Sequence, residues 1–353
     1  MSVRKFARPR RLALATAALV ALGSGALAAA PAALPSSDLP SPALPSPSRG
    51  LNILVVGLDT RKGVTAREKE AYRLGGKECG CTDVMMLVHV SADNRRVSVL
   101  GLPRDSLTEF AAGHRDRRTG ALHGTHAAKL NSAWAEGGPS YAMEMVERTT
   151  RLPVHRYLEI DFRRFMDAVD QFDGGVPICV PKPLKDTSTG IDLGPGTTNV
   201  GGGEALQYVR SRRADGQMDF GRIRKQQQFV VNTLRKVRSD LLGNPLRLMT
   251  FASVLRGPAA AEHRGLSTLD LMFLAVRLRN LTPDGMEFAT VPVLRFENVQ
   301  GAGSSVAWNV AHAEEVFARL RADEPLPPAR LTPSSEIPQA EYRPAGGASL
   351  VCA

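Results

Sequence analysis

Six short aliphatic runs alternate with segments whose apolar residues recur at helical spacing, and that alternation leaves few architectures open. LNILVVGL, from Leu51 to Leu58, is almost wholly aliphatic and is closed by a polar turn at Asp59, as a buried strand reads. Asp83 to Val90 (DVMMLVHV), Val97 to Leu102 (VSVLGL), Val154 to Ile160 (VHRYLEI), Gly175 to Val180 and Met286 to Val293 read as further strands, separated by turn signals such as SADN. Helical spacing predicts helices at Ser132 to Arg148, broken early by Gly137, Gly138 and Pro139, and at Phe162 to Phe172, Glu204 to Val209, Phe220 to Arg238, Pro245 to Leu255, Thr268 to Leu278 and Trp308 to Leu320. Pro181 to Thr197 and Ser211 to Met218 read as loops. Helices packed on strands give an α/β sandwich with a central mixed β-sheet flanked by helices on both faces. Only 5% of residues are aromatic, so aliphatic side chains must build its core.

The N-terminus follows a different rule. Arg4, Lys5, Arg8, Arg10 and Arg11 precede an uncharged apolar run from Leu12 to about Ala33, and no acid appears before Asp38. This is the pattern of an export leader or signal anchor. About 20 apolar residues span a bilayer, so the run is long enough to stay as a single-pass membrane helix, with the rest of the chain outside the cell membrane. The small residues of ALAAAPAA equally offer a cleavage site, in which case the domain is secreted. Pro31 to Arg49, rich in Pro and Ser, reads as a semi-rigid tether. The expected organisation is a stub and membrane helix over 1–33, a tether over 34–50, an extracytoplasmic domain over 51–324 and a largely disordered Pro-rich tail over 325–353. The net charge of +10 would by itself admit nucleic acid as a partner; an extracytoplasmic domain argues against it. In that oxidising compartment Cys79, Cys81, Cys179 and Cys352 favour disulfides over metal, since the CGC spacing lacks the two-residue gap of zinc knuckles. Three pairings are possible. The favoured bridge is Cys179 to Cys352, which would staple the C-terminus to the core and leave Cys79 and Cys81 to each other.

The chemistry concentrates in YVRSRRADGQMDFGRIRKQQQ, from Tyr208 to Gln228. Arg210, Arg212, Arg213, Arg222, Arg224 and Lys225 lie close together with only Asp215 and Asp219 among them. A solvated helix face explains such a run cheaply. Arginines this dense nevertheless repel one another unless an anion sits between them, and guanidinium forks suit phosphate or carboxylate. Asp59 and Asp83 fall at strand ends, where open α/β sheets place ligands. Two carboxylates beside an arginine cluster suit Mg²⁺, which takes one or two carboxylates plus substrate phosphates. An Asp at a strand end is otherwise a common turn former. GLPRDSL adds Arg104 and Asp105 directly after a strand.

Taken in order, GLDTR, TDVMMLV, LGLPRDS, KLNSAWAEGGP, PKPLKDTSTGIDL and ALQYVRSRRADGQMDFGRIRKQQQ make the chain resemble the LytR-CpsA-Psr family over roughly Leu51 to Leu320. The resemblance implies a transferase. Such enzymes move an anionic glycopolymer, a teichoic acid or an arabinogalactan, from a polyprenyl diphosphate carrier to peptidoglycan, forming a phosphodiester. By motif, Asp59 and Asp83 would hold Mg²⁺, with Mn²⁺ as the alternative ion, and Arg104, Arg210, Arg212 and Arg222 would grip the diphosphate. Arg61, Arg224 and Gln227 form a second tier of substrate contacts, and Asp105 and Asp219 are the candidate proton acceptors. The family holds its carrier lipid in an apolar tunnel, for which Met85, Leu87, Phe165, Val169, Phe229 and Val230 are candidate walls. The late cysteine pair is similar to a bridge in actinobacterial members. One departure stands out: Cys81 occupies the place where the family commonly has an arginine, after an insertion from Gly63 to Gly80, so that phosphate contact is either missing or supplied by another residue, Arg61, Arg67 or Arg73. The rival activities are diphosphate hydrolysis by the same residues and non-catalytic holding of wall polymer. A transcriptional role, which the charge and the family's name suggest, requires a cytoplasmic domain and conflicts with the leader.

Overall fold

The first aliphatic run forms β1 (Leu51–Leu58), and the polar stretch after it winds into a short helix, α1 (Ala66–Ala71), opened by a capping box between Thr65 and Glu68. There follow β2 (Thr82–Val90), β3 (Val97–Gly101), β4 (Leu107–Phe110), β5 (His126–Lys129), α2 (Ser132–Thr150), β6 (Arg156–Asp161) and α3 (Phe162–Val169). Next come β7 (Val176–Val180), β8 (Leu184–Asp186), β9 (Ile191–Leu193), β10 (Gly196–Val200), α4 (Gly202–Arg210) and α5 (Met218–Lys236). The chain continues through α6 (Pro245–Leu255), α7 (Thr268–Arg277), β11 (Met286–Thr290), β12 (Val293–Val299), β13 (Gly303–Trp308), α8 (Val310–Arg321) and β14 (Ala345–Gly346). This computed structural model describes residues 49–76, 80, 82–212, 218–257, 264–329 and 335–352. The leader, nearly all of the tether, Cys79, Cys81 and Arg213 lie outside the described residues. Among those described, no helix is long and apolar enough to cross a membrane.

The central sheet has the order β14-β11-β3-β2-β1-β6. It is mixed: β1 runs antiparallel to β2 and parallel to β6, while β3 runs antiparallel to β2 and parallel to β11. Alternation along β1 explains why its sequence is aliphatic apart from Asn52 and Gly57. Leu54 and Val56 join Leu87 and Leu100 in a core covered by α2 and α8; Leu51 and Ile53 join Met86 and Val99 in a second core covered by α5 and α7. A strand buried on both faces has no position left for an unpaired polar side chain, and Asn52 donates to the Pro153 carbonyl at 2.8 Å and lies 2.7 Å from His89 Nδ1. Each such Leu or Ile contributes about 1.5–3 kcal/mol by burial. A third core joins α3, α4 and α6 with β7 and β10. Glycines set its tightest approach: a Cβ on Gly202 would stand 2.4 Å from the Met166 carbonyl oxygen, and one on Gly203 1.9 Å from Tyr72 Cζ. Gly138 is the other glycine with a clear task, since α2 kinks there at φ 77°, just before Pro139.

Three expectations are corrected. Pro181 to Thr197 is not a plain loop, because β8 and β9 pair as a hairpin within it. Met286 to Val293 is not one strand: it ends at Thr290, and β12 turns away to pair with β13. Most consequential, the described part of the tail is ordered against the domain. β14 pairs with β11, Tyr342 and Cys352 are buried, and Cys352 bonds to Cys179 of β7 with the Cα atoms 5.3 Å apart. Asn232 of α5 accepts the Cys352 N–H at 3.3 Å, and Arg235 donates to its carbonyl at 3.2 Å. Covalent closure over a separation of 173 residues holds a segment whose composition predicts disorder. Replacing Cys179 and Cys352 together with serine is expected to cost about 2–5 kcal/mol of stability. Urea melts read this directly, and reductant should lower the wild-type midpoint while leaving the double variant's in place.

Candidate active site

Local backbone features aim the site's side chains. Gly57 pairs with Val84 and Leu58 with Thr82, so the register slips and Asp83 is the extra residue of a bulge in β2. Bulges re-aim a side chain, and Asp83 lines a cavity of about 450 Å³ beside Asp59, the first residue beyond β1. β6 passes into α3 without a loop because the Asp161 side chain caps the helix, accepting the Arg164 N–H at 2.8 Å; this sets Phe162 in the cavity wall. Arg104 follows β3, Arg210 ends α4, Arg212 lies just beyond it, and Arg222 sits one turn into α5. All four line the same cavity. The structure thus gathers six of the expected residues, Asp59, Asp83, Arg104, Arg210, Arg212 and Arg222, from separate stretches of chain.

They form one charge network. Arg104 Nη1 donates to Asp83 Oδ1 at 2.5 Å, and its Nε lies 3.5 Å from Asp105 and 3.6 Å from Asp219. Arg222 donates to Asp219 at 3.0 Å, and Arg212 Nε lies 3.3 Å from the same carboxylate. Arg61 spans both oxygens of Asp59, at 3.0 and 3.2 Å, and Lys129 lies 3.2 Å from Asp105. Burial alone would raise the Asp83 carboxyl, but the guanidiniums of Arg222, Arg104 and Arg212 outweigh it and hold the group below the ordinary 3.8. Burial pushes Arg222 down to about 10 against the opposing pull of Asp219, which still leaves it charged at neutral pH. Arg210 is lowered for the same reason, with Asp59 and Asp83 opposing. Arg104 goes the other way, since Asp83, Asp105 and Asp219 overcome its burial. The Arg210 guanidinium lies 5.0 Å from the Phe162 ring centroid, and its Nη1 is buried without a hydrogen-bond partner, as are the Nε atoms of Arg104 and Arg222. Buried donors of this kind call for an acceptor.

Behind the arginines the walls turn apolar. Ile160, Phe165, Phe229 and Val230 belong both to this cavity and to a second one of about 310 Å³ that runs among α3, α5, α6 and α7. Phe165, Val169, Phe229 and Val230 line it as expected. Met85 and Leu87 do not: both lie in the core under α2, and Met86 lines the arginine cavity in their place. The strand period of two separates them.

The second tier fares differently. Arg224 and Gln227 are on another face of α5, where they line a 200 Å³ depression against the C-terminal segment; Gln227 is buried and donates to the Ala289 carbonyl at 2.9 Å. At about 100° per residue, Gln226 and Phe229 share the face of Arg222 while Arg224 and Gln227 do not. Arg224→Ala is therefore expected to leave stability within about 0.5 kcal/mol and catalytic rate nearly unchanged, checked by melting and by initial rates. Arg61 stands behind Asp59, bonded also to the Gly76 carbonyl at 2.8 Å, and does not line the cavity. Arg67 and Arg73 do not line it either. Lys129 and Phe162 were missed; KLNSAW carries the first, and the second adjoins the strand end of β6. Asp59 and Asp83 offer two carboxylates among the arginines of the mouth, a donor set that fits Mg²⁺.

A cationic mouth thus opens on an apolar cavity within an α/β sandwich. The chain belongs to the LytR_cpsA_psr family, whose model matches residues 34–322. It is 30% identical over 274 residues to the probable cell wall biosynthesis protein LcpB of Corynebacterium glutamicum, covering 77% of this chain and 61% of that protein. It is 30% identical over 166 residues to TagV of Bacillus subtilis, named a polyisoprenyl-teichoic acid–peptidoglycan teichoic acid transferase, covering 46% of this chain and 40% of TagV. The chain thus matches roughly two fifths to three fifths of those relatives' length. The crystal structure of B. subtilis TagV superposes with a TM-score of 0.58 at 20% identity over 79% of this chain and 99% of that one. A structure of TagT bound to LIIa-WTA superposes at 0.54 with 21% identity, over 79% and 92%.

Proposed function

We propose that this protein is a phosphotransferase that moves an anionic glycopolymer from a polyprenyl diphosphate carrier to peptidoglycan, working outside the cell membrane with the leader as its anchor. The observation that carries this reading is the buried, unpartnered Nη1 of Arg210 in a cavity that shares its apolar walls, Ile160, Phe165, Phe229 and Val230, with the apolar cavity behind. A diphosphate supplies the missing acceptors there, and a prenyl chain fills the apolar volume behind. The name of TagV supports the substrate class, and that of LcpB supports a role in cell wall biosynthesis.

Arg104, Arg210, Arg212 and Arg222 bind and orient the diphosphate. An acceptor hydroxyl oxygen of peptidoglycan attacks the glycan-linked phosphorus; the bond from that phosphorus to the bridging oxygen breaks, and polyprenyl phosphate leaves. The hydroxyl proton passes to a carboxylate of the network, for which Asp105 and Asp219 are the candidates. Phosphoryl transfer depends mainly on positioning and charge neutralisation. Asp59 and Asp83 would hold Mg²⁺, which adds charge neutralisation at the phosphoryl oxygens.

The test incubates purified protein with a lipid-linked diphosphate glycan, peptidoglycan and Mg²⁺. Glycan joined to peptidoglycan through phosphate, with equimolar polyprenyl phosphate released, is expected. Phosphorylated glycan released without need of peptidoglycan would make the protein a hydrolase instead, and carrier bound without turnover would make it a holder of wall polymer.

A further inference from the structure

Away from the arginine cavity, three histidines converge on one carboxylate. Glu136, in the first turns of α2, is buried, and its Oε1 accepts from Ser132 Oγ at 3.1 Å. Its Oε2 faces His114 Nε2 at 3.1 Å, His126 Nε2 at 3.2 Å and His123 Nδ1 at 3.8 Å. The donor atoms of His114, His123 and Glu136 all lie within 4.8 Å of one another. The phosphotransfer reading uses none of these residues.

The far nitrogens decide what the near ones are. His114 Nδ1 lies 3.0 Å from the Ala111 carbonyl and His126 Nδ1 3.0 Å from the Gly124 carbonyl. A carbonyl only accepts, so both rings carry a proton on Nδ1. In a neutral ring Nε2 then presents a lone pair, and it is aimed at a carboxylate oxygen that also presents lone pairs. Either the rings each take a second proton, which sets several imidazoliums against one another around one carboxylate, or the facing acceptors share one metal cation. In a tetrahedral complex with bonds of about 2.0–2.1 Å, neighbouring donor atoms stand about 3.3–3.4 Å apart, and the three distances to Oε2 bracket that value. A backbone carbonyl on the far nitrogen is also how metal-ligating histidines are oriented. The His114 ring is further fixed by stacking on Tyr141 at 4.1 Å between centroids. His123 and His126 are partly exposed, at 30% and 31%, and give an ion a way in.

We propose that His114, His123 and Glu136 bind a divalent transition ion of the Zn²⁺ class, with His126 beside the Glu136 carboxylate but outside that cluster of donor atoms. Nitrogen and carboxylate donors without thiolate suit such an ion, and imidazole disfavours Mg²⁺ and Ca²⁺. Bound there, away from the arginine cavity, the ion has a structural role. It pins the stretch between β4 and β5 onto α2, where the Arg117 N–H already donates to the Glu136 carbonyl at 2.7 Å. His126 opens β5, and Lys129 at its other end pairs with Asp105, so the ion braces the strand that supports the arginine network.

The test uses the full chain without a polyhistidine tag, stripped with chelator and desalted. Reloaded with Zn²⁺, it should retain one ion per chain and melt at a higher temperature, while Mg²⁺ should give no shift. His123→Ala and Glu136→Gln should weaken Zn²⁺ binding about tenfold or more, and a variant with Cys79 and Cys81 both changed to serine should bind as the wild type does. His123 is partly exposed, so its removal leaves the fold intact, which circular dichroism checks. Wild-type protein that keeps no Zn²⁺, or His123→Ala with wild-type affinity, would overturn the site. The outcome does not depend on the transferase reading, since metal content is measured without substrate.

Discussion

Arg210→Ala is expected to lower glycopolymer transfer by about 10²–10³-fold while leaving stability within about 1 kcal/mol of wild type. The two halves of this result share a cause. The Arg210 guanidinium is buried enough to lower its pKa, its Nη1 has no hydrogen-bond partner, and Arg61 and Arg212 repel it. In the free protein its removal relieves a buried charge and costs the attraction of Asp59 and Asp83 and the contact with Phe162, whose ring centroid lies 5.0 Å away. With a diphosphate bound the same group becomes a charge-assisted donor in a water-poor site, where such donors are strongest. A residue with a buried donor that is unpaired in the free protein and paired by ligand is where stability and activity part. Arg210→Lys keeps the charge but loses the planar fork, and is expected to fall between the two. Initial rates of transfer and urea melts on the same preparations check the prediction. An activity loss that only tracks a fall in folded fraction would make Arg210 structural.

How much of this was legible in the chain depends on which physical signal each feature carries. Strands buried on both faces declare themselves by composition, and β1, β2 and β3 fall within about a residue of their expected bounds. The hairpins β4–β5 and β8–β9 are short and mixed in character, and part of their stability comes from pairing that no local pattern reports. The tail has the composition of a disordered segment and is held by a bond to Cys179, a long-range fact. In the site, density of charge pointed to Arg210, Arg212 and Arg222, but density has no direction. Helical phase does, and it would have separated Arg224 and Gln227 from Arg222. The same reasoning along β2 distinguishes Met86 from Met85 and Leu87. Lys129 and Phe162 act through tertiary neighbours, Asp105 and Arg210, and nothing nearby in sequence marks them.

Asp83→Asn should reduce transfer as severely, by about 10²–10³-fold, and added Mg²⁺ should not restore it. Asparagine keeps the shape of the side chain and removes the charge that orders Arg104 at 2.5 Å and faces Arg212 at 3.8 Å. Unlike Arg210→Ala, this change also costs stability, because it takes a partner from guanidiniums that remain buried. The pH dependence follows from the direction of the Asp83 shift. Its folded-state value lies below the ordinary 3.8 because Arg222, Arg104 and Arg212 outweigh its burial. A depressed carboxylate contributes stability that is fully present above the unfolded value and is lost as pH falls through the folded one. The gap between wild type and Asp83→Asn is therefore widest at neutral pH and narrows only once the pH drops below 3.8. Urea melts of both proteins across that range measure the gap. A constant difference at every pH would mean that the carboxylate's charge is not what the arginines require, and would leave the bulge in β2 without its functional reason.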